Sequence, residues 1–378
     1  MQKTDKIIKV LVTSNPLNHE GGVVNYYNIL FKKNIFNNLI FYHSSIGSPA
    51  ILFYNPIVKR LIYPFLYIYS IINVFFKVLF YKIDIIQINP SLIPVPILRD
   101  FPILIIGILL KKKVIVFIRG WKEEFFEIIK KHKIIKLTFV FFLNKADKIF
   151  VLANSFKDNL IEIGINNKKI KRTTTVIDED KILPVTDNIT NKITFLYLGR
   201  ISQLKGIDEY VEAILKLYEN EPFIFENLFF IFVGHEDKKG YLNDIMLKLN
   251  VLINKGYVKF YGRIEGDEKF EIYSNSDIYV FPSWTEGCPN SILEALASGL
   301  FVITTKVGAM QDIIIEKQNG YFVEKKNSND LYQKLLLAIN NINYIRSIKA
   351  NIQKNHINSF SSKTILNFLL EEYKDLLK

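Results

Sequence analysis

Cysteine, histidine, tryptophan and arginine are all scarce in this chain of 378 residues. It contains one cysteine, five histidines and two tryptophans, and its seven arginines stand against 42 lysines. A single cysteine can form neither an internal disulfide nor a cysteine-based zinc site, so we expect a reducing compartment. The modest glycine and proline contents, with 49% hydrophobic residues, exclude collagenous, low-complexity and disordered chains. The length favours two domains of similar size.

Long uncharged apolar runs are also lacking. The stretch from Leu61 to Phe76 contains Pro64 and is ended by Lys77, short of the roughly 18 residues typical of a spanning helix. The run from Phe101 to Leu110 is shorter still and is followed by three lysines. We therefore interpret both as core helices, with contact at a membrane interface preferred over spanning as the alternative. The N-terminus resembles a first strand rather than a secretory signal.

Acidic residues are scarce only in the first part of the chain. Residues 1–150 hold 21 Lys and Arg against 8 Asp and Glu, whereas residues 151–378 hold 28 against 29. A general lysine bias would raise the count everywhere, so the asymmetry predicts an anionic partner for the first part. No recognition helix, zinc finger or stacking motif accompanies this charge, which favours an anionic membrane surface over nucleic acid.

Short β-branched runs alternate with helical patterns from end to end. Several runs are apolar at nearly every position, which is typical of parallel strands covered on both faces. We predict an α/β fold of two doubly wound, Rossmann-like domains facing a cleft. A polar segment over residues 173–191 marks the boundary, giving domains 1–185 and 190–360, and the helix predicted over 361–378 can return to the first domain. The predicted strands cover residues 7–13, 83–88, 114–118, 148–152, 193–198, 229–233, 258–261, 277–281 and 301–304.

The segment from Tyr279 to Gly299 has the clearest functional pattern. A strand is followed by a loop with Glu286 and Gly287, and Pro289 then stands where a helix begins. The N-terminus of that helix, around Asn290 and Ser291, is a natural seat for a phosphate. Glu286 precedes the helix and Glu294 lies more than a turn inside it, so the two carboxylates can serve different parts of one ligand.

Three of the seven arginines fall at or just after predicted strand ends, where open α/β sheets bind ligands: Arg119, Arg200 and Arg263. Arg200 and Lys205 occupy one loop, and two cations there suit a diphosphate. Pairing with a neighbouring glutamate is the alternative for Arg263. In the first domain, Gly21 and Gly22 follow the first strand and would let a phosphate or sugar approach the backbone. The full dinucleotide-binding glycine pattern is lacking, which argues against a dehydrogenase.

Taken in order, these motifs resemble the retaining glycosyltransferases of family 4, which have the GT-B fold. The resemblance covers nearly the whole chain, and its most specific part is Glu286-Gly287-Cys288-Pro289-Asn290-Ser291 with Glu294-Ala295. It implies that Arg200 and Lys205 hold the donor diphosphate, Glu294 the ribose and Glu286 the donor sugar. The resemblance also implies a phosphate seat and a base pocket, formed respectively by Asn290, Ser291 and Ile292 and by Gly262, Arg263 and Ile264.

One position departs from the family pattern. Arg119 stands where the family commonly has a histidine near the donor sugar, after the fourth strand of the first domain. Arginine cannot act as a base at neutral pH, but it can donate hydrogen bonds to a sugar or an anionic acceptor. The resemblance further implies that no bound metal or other cofactor is needed, since cations and a helix end replace the metal. None of the five histidines is proposed as a metal ligand.

Together the residues and the resemblance predict an enzyme that moves a sugar from a UDP- or GDP-sugar to a hydroxyl, with retention at the anomeric carbon. The basic first domain favours a lipid-linked or cell-envelope polysaccharide acceptor, reached from the cytoplasm at the inner face of the membrane. Two alternatives remain open. One is a non-catalytic nucleotide-sugar-binding scaffold, and the other is an NAD-dependent enzyme that modifies nucleotide sugars.

Overall fold

The computed structural model describes residues 6–46, 56–185 and 192–378, with only the backbone of residues 56–61. The chain divides into two compact units, Met1–Val176 with Ser362–Lys378, and Ile177–Ser361. The predicted boundary at residue 185 lies nine residues beyond the division of the compact units at Val176. Contacts with the second unit explain this difference, because the Ile177 amide donates to the Phe360 carbonyl. The Gln353 side chain also donates to Leu183 and accepts from Val185.

The first unit is built on a parallel sheet of six strands in the order β2-β1-β3-β5-β7-β8, with a two-residue ladder between β4 and β6. Its strands are β1 Ile8–Ser14, β2 Leu39–Ser45, β3 Ile85–Ile88, β4 Ser91–Leu92, β5 Lys113–Phe117, β6 Gly120–Trp121, β7 Lys148–Val151 and β8 Ile170–Arg172. The helices along it are α1 Gly22–Lys32, α2 Pro56–Phe80, α3 Pro94–Leu109, α4 Glu123–Lys131, α5 Lys133–Lys145 and α6 Asn154–Glu162. Strands β3 and β7 are buried at every position, as parallel strands between two helical layers must be.

The second unit repeats this architecture, with a parallel sheet in the order β11-β10-β9-β12-β13-β14. Its strands are β9 Ile193–Leu198, β10 Leu228–Val233, β11 Val258–Phe260, β12 Ile278–Phe281, β13 Phe301–Thr305 and β14 Gly320–Val323. Its helices are α7 Ile207–Asn220, α8 Pro222–Phe225, α9 Tyr241–Lys248, α10 Asn250–Asn254, α11 Asp267–Ser274, α12 Asn290–Ala297, α13 Met310–Ile313, α14 Ser328–Asn340, α15 Ile342–Ser347 and α16 Lys349–Phe360. The sequence did not predict β2, β8 or β14, nor the two-residue strands β4 and β6.

The last helix, α17 Ser362–Leu376, belongs to the first unit. Its Tyr373 hydroxyl donates to the buried Gln87 side chain over 2.7 Å. Lys148, whose side chain is 6% exposed, forms ion pairs with Glu372 and, at 3.1 Å, with Asp375. A buried lysine is costly unless it is paired, so these contacts tie the end of the chain to the first sheet.

Helix α2 is not the core helix that the sequence analysis expected. Its stretch Ile62–Phe80 is strongly apolar, yet only 17% of the 18 most apolar consecutive residues in it are buried. It is the one helix among the described residues that is long and apolar enough to cross a membrane, by length and composition alone. Lys77 interrupts the uncharged run, but the stretch as a whole remains apolar enough to meet this criterion. Large side chains recurring every three or four residues are exposed on one face: Phe65, Ile68, Tyr69, Ile72, Phe76 and Phe80.

Candidate active site

Loops from four neighbouring strands of the second unit meet at the carboxyl edge of its sheet. The Gly234 amide donates to the Gly262 carbonyl over 2.7 Å, joining the loops after β10 and β11. The loop after β9 joins that after β12 through the Trp284 amide, which donates to Leu204 over 2.9 Å. Because every pairing in this sheet is parallel, the strands deliver their loops to the same edge, as ligand-binding α/β sheets do.

Lys205 and Glu286 form an ion pair at this edge. Lys205 ends a short 3₁₀ turn after β9, and Glu286 lies in the loop between β12 and α12. Their side chains are 16% and 11% exposed, and the Ser283 hydroxyl donates to the same carboxylate oxygen over 2.9 Å. The loops are held close because Gly206 has a φ of +73° and no room for a β-carbon, which would lie 2.1 Å from the Pro282 carbonyl oxygen.

Helix α12 begins immediately after this pair. Pro289 is its N-cap residue and makes no side-chain cap hydrogen bond, so the positive end of the helix dipole faces the Glu286 loop without a side-chain cap. The helix ends at Ala297 with Ser298 as its C-cap, and the φ of +84° at Gly299 suits the residue after a helix C-cap. Asn290, Ser291 and Ile292 occupy the first turn, which is the position predicted for a phosphate seat.

Glu294 is buried one turn further along α12 and is 7% exposed. Lys269 of α11 pairs with one carboxylate oxygen at 2.7 Å, and the Tyr273 hydroxyl donates to the other at 3.3 Å. Burial and the adjacent carboxylate raise the pKa of Tyr273 well above its usual value, so the phenol stays a neutral donor. Two residues of α11 therefore hold Glu294, whereas residues of the loops after β9 and β12 hold Glu286. The two carboxylates are separate functional groups.

The remaining predicted residues of the second unit lie around these groups. Arg200 follows β9 and is exposed, and its backbone carbonyl accepts the Tyr197 hydroxyl over 2.6 Å. Arg263 pairs with Glu265, its Nε lying 2.8 Å from the carboxylate, which is the glutamate pairing weighed above as the alternative. Ile264 is half-buried beside it, and Gly287 accepts the Ala309 amide over 2.8 Å.

Sequence reasoning missed several residues that position the two glutamates: Ser283, Lys269, Tyr273 and Gly308. Gly308 follows β13 and has a φ of +53°. A β-carbon there would lie 2.4 Å from both the Glu286 and the Gly287 carbonyl oxygens, so only glycine lets the two loops approach. A glycine closely following a predicted strand was the available signal for Gly308, while the others are recognisable only from three-dimensional contacts.

Replacing Gly308 with alanine should displace the Glu286 loop and lower kcat by about tenfold or more, since small misplacement of reacting groups is costly. Steady-state kinetics of the sugar transfer that the sequence predicts measures this effect. Gly256→Ala is the matched control, because Gly256 also has a positive φ, +74°, but nothing lies within 4 Å of a β-carbon there. Equal losses in both variants would contradict the role given to Gly308.

The first-unit residues of the predicted site lie at the carboxyl edge of the first sheet. Gly21 and Gly22 open α1, Gly21 with a φ of +145°. Arg119 follows β5 and is 9% exposed, its guanidinium carbon 4.1 Å from the ring centre of Tyr26 and 4.3 Å from that of Phe117. In the described part of the chain, Nε and Nη1 of Arg119 have no hydrogen-bond partner. A buried guanidinium with two unsatisfied donors suits an incoming anion or sugar.

Acidic, histidine and cysteine side chains do not cluster as metal ligands would within residues 6–46, 56–185 and 192–378. The groups at the second-unit edge are instead two ammonium groups, each paired with a glutamate, the N-terminus of α12 and the exposed Arg200 that follows β9. These are the groups that proteins use to bind phosphate esters.

Comparisons with known proteins agree with this arrangement. Residues 178–355 match the family model of glycosyl transferases group 1. Among curated proteins, the chain is 28% identical over 229 residues to a Campylobacter jejuni enzyme, N,N'-diacetylbacillosaminyl-diphospho-undecaprenol alpha-1,3-N-acetylgalactosaminyltransferase. It is 27% identical over 253 residues to the capsular polysaccharide biosynthesis glycosyltransferase CapM of Staphylococcus aureus. These matches cover 58% and 66% of this chain and 56% and 60% of the relatives, so the chain spans under two thirds of their length.

Solved structures extend the likeness to the whole fold. HepE of Anabaena, crystallised with UDP, superposes with a TM-score of 0.74 at 15% identity, covering 97% of this chain and all of HepE. The sucrose-phosphate synthase of Thermosynechococcus elongatus superposes with a TM-score of 0.73, also at 15% identity, covering 98% of this chain and 99% of that one. The predicted fold class, an α/β protein with two Rossmann-like units of the GT-B type, is confirmed. Through its second unit, the chain is thus similar to the group 1 glycosyl transferases, whose family model matches residues 178–355.

Proposed function

We propose that this protein is a retaining glycosyltransferase that moves a sugar from a UDP- or GDP-sugar to a hydroxyl of a lipid-linked or cell-envelope polysaccharide acceptor. The observation that carries this proposal is the contact between Lys205 and Glu286 beside the N-terminus of α12. A cation, a carboxylate and a helix dipole in one place can neutralise a leaving diphosphate and hold the hydroxyls of the sugar that leaves it.

The chemistry follows from these groups. The acceptor oxygen attacks the anomeric carbon as the bond from that carbon to the diphosphate oxygen breaks, and the acceptor proton passes to the departing phosphate. Lys205 and Arg200 stabilise the charge that develops on the diphosphate, so no bound metal or other cofactor is part of the proposal. Glu286 binds the sugar hydroxyls, while Glu294 binds the ribose.

Donor choice and stereochemistry are tested by one set of measurements. We expect UDP or GDP to raise the melting temperature of the protein, with no effect of added EDTA. NMR of the product should show the anomeric configuration of the donor. An inverted product would contradict the retaining mechanism. Stabilisation by NAD without any nucleotide-sugar binding would favour the NAD-dependent alternative, and donor binding without transfer would favour the scaffold.

Three observations support an acceptor at the inner face of the membrane. The C. jejuni relative is named for a diphospho-undecaprenol substrate, and the S. aureus relative for capsular polysaccharide biosynthesis. The positive charge of this chain is concentrated in residues 1–150. The exposed apolar face of α2 lies in the same unit, and an apolar face combined with positive charge suits an anionic lipid surface.

Membrane association gives a direct prediction. Replacing Ile72 and Phe76 with glutamate should reduce binding to phosphatidylglycerol-containing liposomes at least about tenfold, because two apolar side chains are lost and two negative charges gained. Co-sedimentation with neutral and anionic liposomes measures this difference. Leu247→Glu is the control, since Leu247 is 73% exposed on the second unit. Negligible binding of the unmodified protein to both liposomes would refute the membrane proposal.

A further inference from the structure

The first unit contains an apolar cavity of about 760 Å³. It lies between α3, α4 and α5 on one side and the ends of β3 and β5 on the other. It is reached by Ile88 and Val116, at the carboxyl ends of those strands, and by Ile118, which directly follows β5. The helical lining is mainly aliphatic and aromatic, with Leu104, Ile129, Phe139 and Leu143 among its buried members. The cavity is thus at the sheet edge where α/β proteins bind ligands.

The polar side chains that line the cavity are largely occupied by partners within the protein. The Asp100 carboxylate accepts two hydrogen bonds from Arg99, at 2.7 and 3.1 Å. The Thr138 hydroxyl donates to the Ile134 carbonyl over 2.9 Å. A polar ligand would therefore find few groups to replace its hydrogen bonds to water. An apolar ligand has no such hydrogen bonds to lose when it enters.

The cavity opens to solvent beside Leu98 and Ile134, so water covers its apolar lining when no ligand is bound. Removing apolar surface from water is favourable. The volume is also within the usual range of ligand pockets. Both arguments indicate that an apolar ligand fits the cavity.

The rim of the cavity combines exposed apolar residues with unpaired lysines. Leu98 and Ile134 line it while remaining 71% and 80% exposed. Lys131, Lys133 and Lys136 lie within two residues of the lining residues Ile129, Ile134 and Ile135, and within the described residues none of them forms an ion pair. Lys130, by contrast, pairs with Glu127 at 2.6 Å. An apolar interior beside free cations fits an amphiphile with a negatively charged head group.

We propose that this cavity holds the hydrocarbon chain of a lipid phosphate acceptor, with Lys131, Lys133 and Lys136 facing its head group. The inference rests on the proposed function for the identity of the lipid as acceptor, but the binding of the chain stands on the cavity itself. It assigns the acceptor chain to the space between α3, α4 and α5, separate from the exposed face of α2.

The test measures chain binding and sugar transfer separately. A fluorescent polyprenyl phosphate is titrated into the full-length protein, with inorganic phosphate as competitor. Ile129→Trp and Leu104→Trp fill the cavity, and Leu137→Trp, on an exposed position of α5 outside the lining, is the matched control. We expect the filled variants to bind the probe at least about tenfold more weakly, a change of only ~1.4 kcal/mol. The control should bind as the unmodified protein does, and inorganic phosphate should not displace the probe.

Transfer is then compared between two acceptors that carry the same head group, one on a long isoprenoid chain and one on a short alkyl chain. In the filled variants the ratio of kcat/KM for the long to the short acceptor should fall about tenfold or more. Unchanged probe binding in both filled variants, or full displacement by phosphate, overturns the inference. So does dissociation of a dimer by these variants in sedimentation, which would make the cavity an interface between copies.

A failure of the proposed chain site can be distinguished from a failure of the proposed function. If the unmodified protein binds the probe but transfers sugar to neither acceptor, the proposed function fails and the chain site stands. If it transfers sugar equally well to both acceptors and the filled variants do the same, the chain site fails and the proposed function stands.

Discussion

Lys205→Ala lowers kcat for sugar transfer by about a hundredfold to a thousandfold, which is the usual result of removing one group that stabilises transition-state charge. The loss should fall on kcat more than on donor affinity, because the charge on the diphosphate grows as its bond to the sugar breaks. Lys205→Arg keeps the charge and should recover part of the rate. Steady-state kinetics and a UDP titration on each variant measure the two quantities.

The ion pair formed by Lys205 makes this result specific. Lys205 is half of an ion pair with Glu286, so a purely structural lysine would be expected to lower stability and leave kcat of the folded protein intact. Lys334→Ala serves as the control, since Lys334 pairs with Glu316 at 3.8 Å away from the site. A kcat for Lys205→Ala within about twofold of the unmodified value, with UDP binding retained, would remove Lys205 from the mechanism.

Asp277→Ala destabilises the second unit by about 3 to 5 kcal/mol, the range expected when one partner of a buried ion pair is removed. The Asp277 carboxylate accepts two hydrogen bonds from Arg346, each 3.0 Å long, and one from the Thr194 amide at 3.1 Å. Lys349 lies 3.8 Å away. Removal of the carboxylate leaves two cations without a counter-ion and the Thr194 amide without its acceptor, although Arg346 and Lys349 each keep a hydrogen bond to a backbone carbonyl. Denaturant unfolding followed by tyrosine and tryptophan fluorescence measures the loss.

The position of Asp277 in the fold separates its effect on stability from any effect on catalysis. Asp277 immediately precedes β12, whereas Glu286 follows the other end of that strand. The folded fraction of Asp277→Ala should therefore transfer sugar at close to the normal rate. Lys334→Ala is again the control, and breaking its exposed pair should cost below about 1 kcal/mol. A similarly small loss for Asp277→Ala would show that the pair contributes little.

Central strands were predictable from the sequence, and edge strands mostly were not. The runs at β3, β5, β7, β9, β12 and β13 are apolar because helices cover them on both faces. Of the four edge strands only β11 was predicted, whereas β2, β8 and β14 were missed. A strand paired on one side only is partly exposed, and β8, with the sequence IKR, has just one buried residue. Such strands are specified by their neighbour and not by a local pattern.

The residues of the candidate site also differ in whether a local sequence pattern could predict them. Glu286, Pro289 and Gly299 could be predicted because glycine and proline residues in this segment mark a loop and the two ends of a helix. Lys269 and Gly308 contact this segment from α11 and from the loop after β13, and no local pattern announces a contact between separate elements. The burial of α2 was wrongly predicted for a related reason, since an apolar run does not say whether protein or another medium will cover it.

The return of α17 to the first unit has a consequence for synthesis on the ribosome. The residues that satisfy Lys148 and Gln87 emerge only after the whole of residues 177–361 has been translated. The second unit can thus complete its fold while the first still lacks a helix. A nascent chain stalled before residue 362 would carry a completed second unit while its first unit still exposes the apolar surface that α17 covers, and chaperones bind such surface.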